Sequence, residues 1–172
     1  MALVDCRAAR RALLKRIGTL ACGALAVPTG RALGEQGDHV VLPRIDDLHT
    51  LAAQMRRERI PLLLFFSTPG CPFCLEVRRN YLAPRLKDDA GRLLIREVDI
   101  TSPRGFAAPD GTTLTEVDLA ARFKVRIAPV VQLVDASLAR LGRPLVGIND
   151  SGFYEAYLSR AIEEAQQVMR GR

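Results

Sequence analysis

The chain has 172 residues, of which 48% are hydrophobic and 26% are charged, as in a single folded globular domain. This composition argues against a disordered chain, a collagen-like fibre and a multi-pass membrane protein. Four cysteines are too few for a disulfide-dense scaffold. The formal net charge of +6 would favour a nucleic-acid or anionic-membrane partner if the folded domain carried it.

Residues 1–32 have the order of a secretory signal peptide. A basic start is followed by an apolar run at 17–27, too short to span a bilayer as a helix, and then by small residues. The basic region at 10–15 reads RRALLK and resembles the twin-arginine export signal. We predict cleavage after Ala32, or alternatively after Ala26, and therefore a periplasmic protein. An uncleaved amphipathic helix is the alternative interpretation.

The leader accounts for most of the charge. Six basic residues and one acidic residue precede residue 33, so the remaining chain carries a net charge of only +1. The electrostatic argument for nucleic acid is thereby lost, and we expect no nucleic-acid partner. Cys6 and Cys22 also lie in the leader, which leaves Cys71 and Cys74 as the cysteines of the mature protein.

Residues 33–44 form a predicted N-terminal extension, and strands alternate with helices over 45–172. This alternation favours the α/β class, with a central mixed sheet that helices cover on both faces. Apolar periodicity, capping residues and turn residues place the elements. In chain order they are a short strand at 39–42, a helix at 46–59, a buried strand at 61–67, a helix from 71, a strand at 92–100, a loop at 101–113, a helix at 113–123, a strand at 125–135, a strand at 145–148 and a final helix from 151.

Helix signals also predict the surroundings of particular side chains. Thr113 and Glu116 have the spacing of a capping box at the start of the helix at 113–123. Apolar residues at helical spacing predict the buried faces of two other helices. These faces are Leu75, Val77, Tyr81 and Leu82 in the helix from 71, and Tyr154, Leu158, Ala161, Ile162, Ala165 and Val168 in the final helix.

Cys71-Pro72-Phe73-Cys74 follows an apolar strand and a tight turn and opens a helix. The nucleophile in disulfide exchange is a thiolate, and the free N–H groups and dipole of a helix N-terminus stabilise one. The two intervening residues keep both sulfurs within bonding reach. Pro72 suits the first helical position, because the N–H that it lacks would have no partner there. Pro72 and Phe73 are predicted to contact a substrate, Phe73 through its apolar ring.

Other interpretations of the cysteine pair are weaker. A purely structural disulfide across so short a loop would stabilise the fold little. A zinc site usually needs four ligands, and the two histidines, His39 and His49, lack ligand spacing. Copper or haem handling by the two thiols stays open. We predict a redox-active Cys71–Cys74 disulfide, with no metal and no other cofactor.

The order of elements around the motif resembles the thioredoxin superfamily from about residue 45 to 170. The segment Ile127-Ala128-Pro129-Val130-Val131 resembles the family's cis-proline segment. The resemblance implies a thioredoxin-like fold in which Cys71 attacks a substrate disulfide and Cys74 resolves the mixed disulfide. It also implies that Ala128 and Pro129 contact the extended substrate backbone.

The leader and the insertion at 101–113 resemble exported bacterial thioredoxin-like reductases, including the SoxW type. That resemblance implies a periplasmic monomer that reduces protein disulfides or mixed disulfides, supplied with electrons by a membrane thiol donor. The alternatives are a disulfide oxidase or isomerase, and a non-catalytic metal or haem chaperone.

Three positions depart from the thioredoxin pattern. The chain has no tryptophan, which thioredoxins carry just before the motif. Phe65 occupies the position of the family's buried aspartate, six residues before the first cysteine. Glu97 lies near the position of a family lysine, and it is a candidate for proton transfer at Cys74. The plainer interpretation of Glu97 is an exposed strand carboxylate.

Overall fold

An apolar strand at the centre of the domain organises the fold. The computed structural model describes residues 40–148 and 151–171. The predicted signal peptide and its cleavage sites lie outside the described residues. The helices are α1 (Leu48–Glu58), α2 (Pro72–Glu76), α3 (Ala83–Asp88), α4 (Glu116–Arg122) and α5 (Ser151–Arg170), with a π-helical segment (Val77–Leu82) between α2 and α3. The strands are β1 (Leu62–Ser67), β2 (Leu94–Asp99), β3 (Gly105–Ala107), β4 (Thr113–Thr115), β5 (Val130–Val134) and β6 (Leu145–Val146).

The main sheet is mixed and has the order β2-β1-β5-β6. β1 runs parallel to β2 and antiparallel to β5, and β6 pairs antiparallel with β5. All six residues of β1 are buried, as expected for a strand covered on both faces. The predicted α/β class with a central mixed sheet is therefore confirmed.

Side chains of β1 alternate between two cores. Leu63 and Phe65 pack with α5 and the helix that follows the cysteine motif. Leu62, Leu64 and Phe66 pack with α1 and α4 on the opposite face. The two-residue period of a strand thus gives each layer of helices its own apolar surface, and helices cover both faces as predicted.

The helix after the motif is continuous but contains a wider turn. The amide of Ala83 donates to the carbonyl of Arg78, five residues earlier, which is a π-helical bond. Pro84 follows directly and has no N–H to continue the α-helical ladder. The insertion of a π turn accommodates such a residue without ending the helix.

Two predicted segments differ in kind from the structure, and two predicted elements begin later, α4 at Glu116 and β5 at Val130. No strand forms over 40–42, because the chain reaches the edge of the sheet only at Arg44, which forms an isolated bridge with Glu97. The predicted loop at 101–113 contains β3, which pairs with β4 in a small separate hairpin. Phe106 of that hairpin is buried in the α1–α4 core, which explains why this segment is ordered as a hairpin.

The predicted buried faces are also corrected at two positions. Val168 of α5 is exposed and Met169 is buried in its place, which continues the spacing of Leu158, Ile162 and Ala165. Leu75 of α2 is exposed, although Val77 and Leu82 are buried as predicted. No helix in the described ranges is long and apolar enough to cross a membrane.

The predicted capping box was placed two residues too early. The hydroxyl of Thr115 accepts a hydrogen bond from the amide of Asp118, and the Asp118 carboxylate accepts one from the Thr115 amide. Thr113 is an exposed residue of β4, and Glu116 is buried and paired with Arg44. Thr115 is thus the N-cap residue, and α4 begins at Glu116.

Replacing Thr115 by alanine should lower the free energy of unfolding by about 1 kcal/mol, because the amide of Asp118 in the first turn of α4 loses its acceptor. Urea unfolding followed by circular dichroism measures the change. Thr113→Ala is the matched control and should change stability by less than about 0.5 kcal/mol. Equal effects of the two variants would contradict the assignment of the cap.

Candidate active site

Cys71 and Cys74 form a disulfide at the start of α2. Their Cα atoms are 5.2 Å apart, within the range that a disulfide bridges. Cys71 is the N-cap residue, with extended backbone angles, and its carbonyl accepts the first helical hydrogen bond from Leu75. The amide of Cys74 also donates to Sγ of Cys71, at 3.0 Å. Pro72 occupies the first helical position, as the motif predicts.

The two sulfurs differ in access. Cys74 is 0% exposed and belongs to the core on the α5 face, whereas Cys71 is only partly buried. Phe73 lies between them in sequence and is 57% exposed. An attacking thiol from outside therefore meets Cys71, with an apolar side chain beside it, and Cys74 is shielded.

The cis-proline segment leads into β5 at the same end of the sheet. The Ala128–Pro129 peptide bond is cis, the geometry that the resemblance implies. Ala128 and Cys71 both pack against the α5-face core. The carbonyl of Pro129 is occupied, because it accepts from the amide of Gly147 at 2.9 Å. Contact of Ala128 and Pro129 with a substrate backbone stays a prediction.

An open cleft of about 610 Å³ borders Cys71. Sequence reasoning did not anticipate it, because one wall comes from the N-terminal segment, far away in the chain. The segment 40–42 and Leu75 supply the apolar side of the cleft, and Leu75 is exposed for that reason. The polar side is formed by Arg44, Ser67, Arg78, Glu97 and Asp99.

Glu97 is part of an ion-pair network in this cleft and is not the exposed carboxylate that the plainer interpretation predicts. Its side chain is only 12% exposed. Nε of Arg78 donates to Glu97 Oε2 at 3.0 Å, and the Ser67 hydroxyl donates to Oε1 at 2.5 Å. The Arg78 side chain is largely covered as well, at 19% exposed. A role of Glu97 in proton transfer stays a prediction.

The structure shows how Phe65 fills the position at which thioredoxins carry a buried aspartate. Its side chain is fully buried in the same core as Cys74. It lies opposite Glu97 in the β1–β2 register, and the Arg78 guanidinium lies 5.9 Å from its ring centroid. The position that would carry a buried carboxylate is therefore filled by an aromatic ring with a cation above its face.

A second buried acid went unrecognised in the sequence. Glu116 is 0% exposed, and its Oε1 accepts from Nε of Arg44 at 2.8 Å and from Arg104 at 3.4 Å. Arg104 also donates to the carbonyl of Ile45, at 2.7 Å. The hydrogen bond to Glu116 raises the pKa of Arg44 above its ordinary value. These bonds connect the N-terminal segment and the insertion at 101–113 to α4. Arg44 also lines the cleft, so the network extends to it.

The described residues contain no group of three or more metal-binding side chains. The fold positions the reactive cysteine pair at this end of the sheet, at the start of α2. An outside thiolate can open this disulfide, and the reduced pair can attack the disulfide of another molecule, because Cys71 is reachable and Cys74 lies within bonding distance behind it.

Comparison with known proteins rests on solved structures. The sequence matches no family profile and no curated protein. A DsbH oxidoreductase has 19% identity, with a TM-score of 0.53 over 72% of this chain and 87% of its own. A thioredoxin from Fasciola hepatica has 15% identity and a TM-score of 0.49 over 72% of this chain and 99% of its own. The periplasmic thioredoxin SoxS from Paracoccus pantotrophus has 22% identity and a TM-score of 0.40 over 61% and 98%.

Identities this low carry information about the fold and not about activity. The match to the DsbH oxidoreductase covers most of both chains. It agrees with the strand order β2-β1-β5-β6, the helix that starts at the cysteine pair, and the cis-proline before β5. The chain therefore has the thioredoxin-like fold.

Proposed function

We propose that this chain is a thiol–disulfide oxidoreductase of the bacterial periplasm that reduces protein disulfides or mixed disulfides. The observation that carries the proposal is the Cys71–Cys74 disulfide at a helix start, with Cys71 accessible and Cys74 buried behind it. A disulfide that only stabilises the fold does not need one accessible and one buried sulfur. A two-step exchange depends on this difference in access.

In the reducing direction, the Cys71 thiolate attacks one sulfur of a substrate disulfide. A mixed disulfide forms, and the first substrate sulfur leaves as a thiolate and takes up a proton. Cys74 loses its proton and attacks Cys71, and the second substrate thiolate leaves. Two electrons have then passed to the substrate, and the protein is left with the Cys71–Cys74 disulfide. Phe73, Ala128 and Pro129 border the reacting sulfurs and contact the substrate chain.

The leader supports this compartment, because its RRALLK segment resembles a twin-arginine signal and its layout is similar to that of exported SoxW-type reductases. The periplasm is kept oxidising, so a reductase there needs an electron supply. A thiol donor in the membrane fills this role, and exchange of its dithiol with Cys71–Cys74 regenerates the reduced protein.

Cys71→Ser should reduce insulin no faster than the dithiothreitol blank, because the attacking sulfur is lost. Cys74→Ser should instead accumulate mixed disulfides with its substrates, since the resolving sulfur is missing. Mass spectrometry of the trapped species from periplasmic extract identifies the substrate. The Cys71→Ser/Cys74→Ser variant is the matched control and should trap nothing. Equal insulin reduction by wild type and Cys71→Ser would refute the oxidoreductase assignment.

The reduction potential decides the direction. A value near about −270 mV, as in thioredoxin, fits a reductant, whereas one near about −120 mV, as in DsbA, means an oxidant. Equilibration with glutathione or dithiothreitol buffers measures it. Metal or haem that is retained after purification and lost in Cys74→Ser would favour the chaperone alternative.

A further inference from the structure

A second pocket lies beside the cis-proline segment and has an apolar floor. It has a volume of about 330 Å³ and is lined by Phe123, Ile127, Val130 and Val146. Phe123 and Val130 are buried, and Ile127 and Val146 are largely exposed. Ile127 directly precedes Ala128, so the pocket begins one residue from the proposed substrate-binding segment.

Strand register places this pocket at the active-site end of the sheet. Phe66 pairs with Val130, and Val130 pairs with Val146. Neighbouring strands are about 4.8 Å apart, so this row of three residues spans about 10 Å. The loop to Cys71 leaves β1 directly after Phe66 and Ser67. The buried wall of the pocket, Phe123 and Val130, belongs to the α1–α4 core, whereas Ala128 packs on the α5 face. Exposed Ile127 connects the two, so a polypeptide whose backbone lies along Ala128 and Pro129 reaches the pocket around the end of the sheet at Ile127.

The rim of the pocket is basic. Lys124, Arg126 and Arg140 line it, and none of the described residues that line it is acidic. Arg140 is fixed there, because it donates to the carbonyl of Phe123 at 2.7 Å and its guanidinium lies 5.6 Å from the Phe123 ring centroid. Lys124 and Arg126 are exposed and form no ion pair within the described ranges. Their positive charge is thus available to a partner.

We propose that this basic-rimmed pocket is a substrate subsite that takes an apolar side chain flanked by acidic residues in the protein to be reduced. The inference rests on the proposed function and names the kind of substrate it prefers. The apolar floor would cover one aliphatic side chain, and the unpaired cations would attract carboxylates on either side of it. The chain after residue 32 is nearly neutral as a whole, so the local positive charge makes this surface selective for acidic substrates.

Three disulfide substrates separate the inference from the proposed function. Two are peptides with the same disulfide loop, flanked on both sides by Glu-Leu-Glu or by Lys-Leu-Lys, and the third is the neutral bis(2-hydroxyethyl) disulfide. At low salt, wild type should reduce the acidic peptide with kcat/KM about 10-fold above that of the basic peptide, because several rim charges attract the one and repel the other. The ratio should fall towards unity at 1 M salt, where the screening length is about 3 Å.

Arg126→Glu should lower the ratio of the two kcat/KM values at least about 5-fold, because a rim charge is reversed. Arg170→Glu, which makes the same charge change at the exposed end of α5, is the control and should leave the ratio unchanged. A Glu-Ser-Glu peptide should be reduced more slowly than the Glu-Leu-Glu peptide if the apolar floor contributes.

Distinct outcomes overturn the two proposals. If the neutral disulfide is reduced but the two charged peptides react equally, the subsite is refuted and the oxidoreductase assignment stands. If wild type reduces none of the three, both fail. If sedimentation shows a dimer that Arg126→Glu dissociates, the pocket binds a second copy of this chain and the subsite is also refuted.

Discussion

Phe65→Asp is expected to lower the free energy of unfolding by at least about 4 kcal/mol. The side chain is fully buried beside Cys74, so its loss leaves a cavity, for which Phe-to-Ala changes cost about 3–5 kcal/mol in other proteins. The new carboxylate would also lie opposite Glu97 in the strand register, with its like charge close by. Because the chain has no tryptophan, urea unfolding is followed by circular dichroism.

Two further variants separate the contributions. Phe65→Asn has nearly the same shape as the aspartate variant and measures the cost of the cavity and the buried polar group without the charge. Phe65→Leu should cost less than Phe65→Asn, because it remains apolar. A stable Phe65→Asp protein, equal to Phe65→Asn at neutral pH, would show that the site accepts a carboxylate as thioredoxins do. The absence of the family's aspartate would then be a matter of function and not of packing.

Arg44→Met is expected to cost about 3–5 kcal/mol, the usual effect of leaving a buried charge without its partner. Glu116 is wholly buried and would keep only the 3.4 Å contact with Arg104. Glu116→Gln should cost less, because Arg44 and Arg104 are 38% and 34% exposed and can turn to water. Chemical denaturation of both variants measures the difference.

A double-mutant cycle checks the same pair. The double variant Arg44→Met/Glu116→Gln has no unpaired charge at position 116. The costs of the two single variants should therefore add to more than the cost of the double variant. Arg44→Lys keeps a positive charge and should recover part of the loss. If the costs of the two single variants are strictly additive, Arg104 or water alone stabilises the Glu116 carboxylate. The network would then contribute little to holding the N-terminal segment.

Local signals predicted the elements that carry the chemistry. The apolar run of β1 and the proline after Cys71 each act through neighbours within four residues. Such interactions are present in the sequence pattern itself. The cis bond before Pro129 came from a resemblance in motif order, because no local rule separates it from an ordinary strand-edge proline.

The features that sequence reasoning missed depend on residues far apart in the chain. Arg44 and Glu116 are separated by 72 residues, and Arg78 and Glu97 by 19. Glu116 in the first turn of a helix has the pattern of a capping residue, and only the approach of two arginines makes its burial favourable. The cleft beside Cys71 was likewise hidden, since its outer wall is the segment 40–42.

The segment that pairs with β2 also protects an edge of the sheet. The amide of Glu97 donates to the carbonyl of Pro43 at 2.9 Å, and Arg44 forms a bridge with the same residue. An uncovered strand edge with free backbone groups is a template for pairing with another chain and for aggregation. At the opposite edge, β6 has only two residues and offers little to pair with. One margin of the sheet is thus covered at Glu97 and the other is short, so both offer few backbone groups for unwanted strand addition.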